Sequence, residues 1–162
     1  MIKRVNSGLD KPLILVSAPA GYGKTALVSS WLHEIEIPSA WMSLDEGDNE
    51  PTRFLQNFSA AVQKTIPTIH LDWLEPLQGM EPGLRVTWLP VLINEISERA
   101  APLVLVLDDF HFIRAQAILE ILASLLDHMP PQTHLVILSR TDPPLPLIRL
   151  RARDQLIEIR AR

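Results

Sequence analysis

The sequence predicts an α/β fold with a mainly parallel sheet and helices on both of its faces. Three short runs consist only of apolar residues, as expected for strands that are buried on both faces of a parallel sheet. Segments with apolar residues at helical spacing separate these runs, and this alternation is typical of α/β folds. The three runs are 13–16, 103–107 and 135–138.

The first half of the chain alternates strand and helix. After the first apolar run and a glycine-rich loop, apolar residues recur at helical spacing over 25–36, and Pro38 ends that segment. A weaker strand is predicted at 39–44. A proline then opens a second amphipathic segment and predicts a helix over 51–65. Residues 66–83 have no clear period and predict an irregular connection.

The second half repeats the alternation. Apolar residues at i, i+3, i+4 and i+7 from Leu89 predict a helix that precedes the second apolar run. A further apolar helical pattern runs from Ile118 to Leu126, and two prolines close it before the third run. The helix that contains Leu89 is predicted to span about 84–99. The remaining predicted elements are a loop at 142–146 and a last strand at 155–159.

The composition is that of an ordinary globular protein. Of the 162 residues, 47% are hydrophobic and 21% are charged, which excludes a disordered chain and predicts one domain over 1–162. No apolar run approaches the roughly 18 residues of a membrane span, and the start lacks the apolar stretch of a secretory signal. We therefore expect a cytoplasmic location without membrane contact. The lack of cysteine excludes thiol nucleophiles and thiolate metal sites.

The charge is unevenly distributed. The net charge of -4 argues against a nucleic-acid-binding surface. Residues 149–162, however, hold five arginines against two acids, a local charge of +3 that leaves -7 for the rest. Such a tail could neutralise phosphates weakly without reading bases, so we expect no sequence-specific DNA binding by this chain.

The glycine-rich loop fits the phosphate-binding pattern G-x-x-x-x-G-K-[ST], except that Ala18 replaces the first glycine. Gly21 and Gly23 let the backbone curl around phosphates in conformations that favour glycine. Lys24 is expected to reach the β- and γ-phosphates, and the Thr25 hydroxyl to bind Mg²⁺. The alternative is a turn with an incidental Gly-Lys-Thr. The predicted nucleotide-binding residues are Ala20, Gly21, Tyr22, Gly23, Lys24, Thr25 and Ala26.

Two adjacent acids follow the second apolar run. Asp108 is predicted to hold Mg²⁺, directly or through water, and Asp109 to orient or deprotonate water. Burying two carboxylates at the end of a strand is energetically unfavourable unless a cation binds them. The alternative interpretation is a turn or a helix N-cap.

An arginine follows the third apolar run, at the same predicted sheet edge. The fixed fork of donors in Arg140 suits phosphate oxygens, so it is predicted to act in catalysis as a γ-phosphate sensor. The alternative is an ion pair with Asp108, Asp109 or Asp142. Two further acids at this edge, Asp45 and Asp48, could face solvent or act on Mg²⁺, and we favour solvent.

Other chemistries find no support in the sequence. The five histidines show no metal-ligand spacing, and there is no G-x-S-x-G element, which argues against a zinc or serine hydrolase. His111 could form a hydrogen bond near the site, but we expect it to be structural.

Several motifs together resemble the nucleotide-binding domain of the MalT-type, LuxR-family transcriptional regulators, which are STAND-class P-loop ATPases. The resemblance covers nearly the whole chain. It implies a three-layer P-loop NTPase sandwich with strand order 5-1-4-3-2, in which Arg140 follows the strand between the two phosphate-site strands. The motifs are the loop 18–25, Leu-Val-Leu-Asp-Asp-Phe-His ending at His111, Leu-Val-Ile-Leu-Ser-Arg-Thr-Asp-Pro-Pro-Leu-Pro at 135–146, Ala40 to Asp45 with Asp48 and Asn49, and Leu150 to Arg153.

The resemblance also implies a function. The domain would be a switch that binds ATP or ADP with Mg²⁺, hydrolyses ATP slowly and self-associates in the ATP form. Its other partners would be the winged-helix, sensor and helix-turn-helix domains of a longer polypeptide, of which this chain is a fragment. Two alternatives remain: a small P-loop kinase, and an interaction module that does not use nucleotide.

Overall fold

A computed structural model of the chain describes residues 2–71, 88–99 and 101–161. Five strands in these residues form one sheet in which every pairing is parallel. The strands are β1 Leu13–Ser17, β2 Ser39–Ser43, β3 Leu103–Asp108, β4 Thr133–Ser139 and β5 Leu156–Arg160. Their order across the sheet is β2-β3-β4-β1-β5, the predicted order read from the opposite edge. The predicted P-loop NTPase fold class is therefore confirmed.

The helices lie close to their predicted positions. The first residues of the predicted 84–99 helix, and most of the predicted irregular connection at 66–83, lie outside the described residues. Two short helices had no predicted counterpart, one before β1 and one before β5. The helices are α1 Ile2–Asn6, α2 Lys24–Ile35, α3 Pro51–Thr65, α4 Trp88–Glu98, α5 Gln116–Asp127 and α6 Leu147–Ala152.

The sheet is buried on both faces, which explains its apolar strands. In β1, Leu13 and Leu15 point into a core shared with α3, α4 and α5, whereas Ile14 and Val16 point into a second core with α1 and α2. All four of these side chains are buried. Helices on both faces are thus confirmed, and the alternation of these four side chains between two cores explains why residues 13–16 are all apolar.

The parallel register brings the ends of three strands to one edge of the sheet. Ser17 pairs with Ser139 at the ends of β1 and β4, and Leu107 of β3 pairs with Ile137 of β4. β4 therefore lies between the strand that leads into the phosphate loop and the strand that ends at Asp108. Ligands bind at such strand ends in open α/β sheets.

Candidate functional site

The loop between β1 and α2 has the backbone of an anion cradle. Gly21 and Gly23 have φ values of 81° and 72°, in the left-handed region that favours glycine. A Cβ at either position would meet no atom within 4 Å. Glycine is therefore favoured here by the backbone angle and not by a lack of space for a side chain. Ala18 is not among the residues with positive φ, so an alanine in place of the first glycine is compatible with the loop.

The first turn of α2 lacks a capping side chain. Its N-cap is Gly23, which has no side-chain oxygen to accept from the N–H groups that begin the helix. These N–H groups and the positive end of the helix dipole are free to bind an anion. A phosphate therefore fits the beginning of α2 by the chemistry of the groups present.

The Lys24 ammonium lies across the loop. Its Nζ donates hydrogen bonds to the carbonyl oxygens of Ala18 at 2.7 Å and Pro19 at 3.1 Å. Both acceptors are neutral backbone groups on the loop itself. A phosphate oxygen would be a stronger, charge-assisted acceptor for the same ammonium.

Thr25 and Asp108 meet as the sequence predicts for a Mg²⁺ pair. The Thr25 Oγ1 donates to Asp108 Oδ2 at 2.9 Å, and the backbone N–H of Asp109 donates to Asp108 Oδ1 at 2.8 Å. Asp108 is only 6% exposed. A hydroxyl and a carboxylate oxygen suit Mg²⁺, which commonly takes few protein ligands and fills its shell with phosphate and water oxygens. The described residues contain no cluster of three or more histidine, cysteine, aspartate or glutamate side chains that could hold a metal ion.

Asp109 has an unusual backbone conformation. With φ 56° and ψ 38° it is left-handed, and it precedes a short 3-10 helix, Phe110–Phe112, without capping that helix through its side chain. Only asparagine, aspartate and glycine adopt this conformation readily, and such strain is concentrated at functional sites. The Asp109 side chain is 46% exposed. Its carboxylate is therefore accessible, whereas that of Asp108 is buried.

The structure places His111 among the charged groups of the site. Its Nδ1 is 3.9 Å from Asp109 Oδ1, and the side chain is 15% exposed. Both ring nitrogens are buried without a hydrogen-bond partner in the described part of the chain. Burial lowers the pKa of His111, as do the positive charges of Arg140 and Lys24, while Asp109 and Asp108 oppose the shift. Its position two residues after Asp109 was the only sequence signal for this location.

His111 is expected to make the chain less stable in mild acid. Its pKa in the folded chain lies below the ordinary 6.5, so the unfolded chain binds the extra proton as the pH falls through that value. His111→Phe retains an aromatic ring but cannot bind the proton, so in metal-free buffer the variant should not show this loss of stability at low pH. As the pH falls from about 8 to about 5, the free energy of unfolding of the variant should therefore increase relative to that of the parent. Parallel denaturation profiles over this range would contradict the prediction.

Arg140 lies at the predicted place and is free of the alternative ion pairs. It is exposed directly after β4, and within the described residues it makes no ion pair with Asp108, Asp109 or Asp142. Asp142 instead binds Arg160, whose Nη1 lies 2.7 Å from Asp142 Oδ1. The Arg140 guanidinium therefore has its donors available for a ligand.

One of the two acids expected to face solvent does not. Asp45 is exposed and pairs with Arg53 at 2.9 Å, but Asp48 is only 1% exposed. Asp48 accepts hydrogen bonds from the N–H of Asp45 at 2.9 Å and from Asn57 Nδ2 at 2.8 Å, and the Arg53 Nε lies 3.5 Å away. The prediction for Asp48 was wrong because these donors compensate the burial of its charge.

Most arginines of the C-terminal tail are engaged within the fold. Arg149 pairs with Asp127, and Arg151 and Arg160 both pair with Glu158. Hydrogen bonds from Arg151, and then from Arg160, lower the pKa of Glu158 to about 2 despite its partial burial. Three of the five arginines of this segment are thus held in ion pairs, with Asp127, Glu158 and Asp142.

Taken together, the glycine loop, the uncapped α2, Lys24 and the Thr25–Asp108 pair define the nucleotide-site class of P-loop proteins. The fold places this site at the strand ends where that class has it. The chain belongs to the AAA ATPase domain family, whose model matches residues 1–138.

Sequence comparison with transcriptional regulators supports the resemblance that the motifs indicate. The chain is 40% identical over 148 residues to the HTH-type transcriptional regulator MalT of Yersinia enterocolitica, covering 91% of this chain and 16% of the relative. It is 38% identical over 160 residues to MalT of Yersinia pestis, covering 98% and 18%. The resemblance to MalT-type regulators is confirmed, and the chain spans less than a fifth of the length of these relatives.

Solved structures share the fold at low sequence identity. Cdc6p of Pyrobaculum aerophilum matches with a TM-score of 0.66 and 18% identity, over 98% of this chain and 44% of that one. A STAND protein with a tetratricopeptide repeat sensor from Pyrococcus horikoshii matches with a TM-score of 0.64 and 16% identity, over 98% and 22%. In the part of the chain that the structure describes, no helix is both long and apolar enough to cross a bilayer.

Proposed function

We propose that this chain is the ATP-binding switch domain of a longer, MalT-like transcriptional regulator, and that it hydrolyses ATP slowly. The observation that carries the proposal is one continuous arrangement at a single sheet edge. The loop with left-handed Gly21 and Gly23 leads into the uncapped α2, and Thr25 in its first turn lies 2.9 Å from Asp108.

The phosphates would bind along the loop and the beginning of α2. Backbone N–H groups of the predicted residues would surround the β-phosphate, because they lie in or directly after the glycine turns. Lys24 would exchange its two carbonyl acceptors for phosphate oxygens, with the ammonium already at the loop. The residues of this cradle are Ala20, Gly21, Tyr22, Gly23, Lys24, Thr25 and Ala26.

Thr25 and Asp108 would hold Mg²⁺. When bound, Mg²⁺ neutralises charge that develops on the phosphates. The Asp109 N–H fixes one oxygen of Asp108, and the Thr25 hydroxyl donates to the other. The Asp108 carboxylate is therefore held before any ligand arrives, and the energetic cost of burying it favours a cation.

Asp109 and Arg140 would carry the reaction. The exposed carboxylate of Asp109 would orient a water molecule or take its proton. The Arg140 guanidinium would bind the γ-phosphate and so distinguish ATP from ADP. Its exposure and its lack of ion pairs in the described residues support this role.

The rest of the regulator would supply the inputs and outputs of the switch. The relatives are transcriptional regulators more than five times as long as the matched region, which supports a multidomain parent. We assign DNA recognition to another part of that parent, because three of the five tail arginines are paired within the fold and the net charge is -4. Self-association in the ATP form and a cytoplasmic location belong to the same proposal.

Thermal unfolding with Mg²⁺·ATP and Mg²⁺·ADP tests this function. Either nucleotide should stabilise the parent chain, by about 2.7 kcal/mol at 100 times its dissociation constant. Arg140→Ala should weaken ATP more than ADP, by roughly the 1.5 to 3 kcal/mol of a hydrogen bond to a charged group.

Arg153→Ala is the matched control. Arg153 is exposed, makes no ion pair in the described residues and precedes β5, so it lies at the sheet edge opposite the site. This variant should respond to both nucleotides like the parent. Equal losses for ATP and ADP in Arg140→Ala would contradict the sensor role, and no nucleotide effect on the folded parent would favour an interaction module.

A further inference from the structure

The side chain of Asn49 uses all of its hydrogen-bonding capacity. Its Nδ2 donates to the carbonyl oxygens of Glu46 at 3.0 Å and Phe112 at 2.8 Å, and its Oδ1 accepts from the N–H groups of Arg114 at 2.7 Å and Ala115 at 2.9 Å. A carboxamide offers two donor hydrogens and two acceptor lone pairs. Three of the four bonds cross to one backbone segment that is more than 60 residues away in the chain.

That segment is the turn that carries the reactive groups of the site. It runs from the left-handed Asp109 through the 3-10 helix Phe110–Phe112 to Ala115, the N-cap of α5, and we refer to 109–115 as the acidic turn. Its beginning is held by backbone hydrogen bonds and by the fully buried Phe110. Its end has no side-chain cap of its own at α5, and Asn49 Oδ1 instead accepts from the two backbone N–H groups that directly precede the helix, those of Arg114 and Ala115.

Asn49 is itself rigidly placed. It ends a short 3-10 helix, Glu46–Asn49, in which Asp45 accepts from the N–H of Gly47 at 2.7 Å and Asp48 accepts from the N–H of Asp45 at 2.9 Å. Asn57 on α3 fixes the buried Asp48 from the other side. The connection between β2 and α3 is therefore a stable support, and Asn49 projects from it to the acidic turn.

We propose that Asn49 is a positioning residue for ATP hydrolysis, which holds the acidic turn so that Asp109 and His111 stay beside the phosphate loop. The inference rests on the proposed function of the site. Removing the carboxamide leaves the N–H groups of Arg114 and Ala115 without that acceptor. The strained conformation of Asp109 then loses its downstream support and can relax. Displacing reacting groups by about 1 Å can cost up to roughly 10²-fold in rate.

Single-turnover ATP hydrolysis, nucleotide affinity and amide hydrogen exchange of three variants test this role. Asn49→Ala should retain the parent's affinity for Mg²⁺·ADP, slow hydrolysis by about 10- to 100-fold and speed exchange at Arg114 and Ala115. Asn49→Asp keeps an acceptor oxygen at the beginning of α5, where negative charge is favourable, and should recover part of both losses. Asn6→Ala removes a carboxamide on α1, before β1 and so at the opposite edge of the sheet, that accepts from Trp31 Nε1, and it should leave hydrolysis and these two amides unchanged.

Two results would overturn the proposal. One is an Asn49→Ala chain that hydrolyses ATP at the parent rate. The other, which requires no variant to fold, is rapid exchange of the Arg114 and Ala115 amides in the parent chain. A parent that binds no nucleotide would instead contradict the proposed function, and the exchange at these two amides would still decide whether Asn49 holds the turn.

Discussion

Lys24→Ala is expected to remove most of the affinity for ATP while the fold is kept. Within the described residues the Lys24 ammonium donates hydrogen bonds to two carbonyl oxygens of its own loop, at Ala18 and Pro19, so truncating it breaks no hydrogen bond to the core. In the nucleotide complex the same ammonium would bind phosphate oxygens. A hydrogen bond to a charged group contributes about 1.5 to 3 kcal/mol, and its loss raises the dissociation constant roughly 10- to 100-fold.

Fluorescent-nucleotide titration measures this effect, with Lys64→Ala as the control. Lys64 is an exposed lysine in the last turn of α3, next to the Thr65 hydroxyl that donates to Ser39 at the start of β2. It therefore lies at the edge of the sheet opposite the site, and its removal changes the net charge by the same amount. An unchanged affinity in Lys24→Ala would mean that the loop does not bind phosphate through this residue.

Asp109→Asn is expected to abolish most ATP hydrolysis without weakening nucleotide binding. Asparagine has the same size and adopts the left-handed conformation that Asp109 has at φ 56°. The substitution therefore removes the charge and the basicity of the carboxylate and little else. General-base contributions are typically about 10²- to 10⁴-fold, which sets the expected loss in rate.

The chain offers a control with the same chemistry and backbone. Asp154 is also left-handed, with φ 55°, and it pairs with Lys11 at the opposite sheet edge, before β5. Asp154→Asn should hydrolyse ATP at the parent rate in single-turnover assays. Parent-like turnover by Asp109→Asn would show that this carboxylate is not the base, whatever its exposure.

The fold could be predicted because each central strand is buried on both faces. Leu13, Ile14, Leu15 and Val16 alternate between two cores, and only apolar residues satisfy both. The helices α1 and α6 escaped prediction because they have only 5 and 6 residues, too few to show a helical period. α6 also follows a proline-rich stretch, which the sequence presents as a loop.

The site was predictable where the local backbone defines the chemistry. Gly21, Gly23, Lys24 and Thr25 act within one turn, so their spacing carries the information. The burial of Asp48 depends on Asn57 and Arg53, which reach it from the next helix and which no local pattern reveals. Asn49 belongs to a motif seen in the sequence, but its contacts with Phe112, Arg114 and Ala115 were similarly hidden, because these residues become its neighbours only when the sheet forms.

We propose that the loop 18–25 and Asp108 form one Mg²⁺-dependent nucleotide site. Calorimetric titration of the folded chain with ATP, in Mg²⁺ and then in excess chelator, tests it most directly. We expect saturable binding of one ATP per chain in Mg²⁺ and a clearly weaker affinity in chelator, because Thr25 and Asp108 then lose their shared ligand. Absence of saturable binding in Mg²⁺, or an affinity that does not respond to the removal of Mg²⁺, would contradict a nucleotide site of this kind.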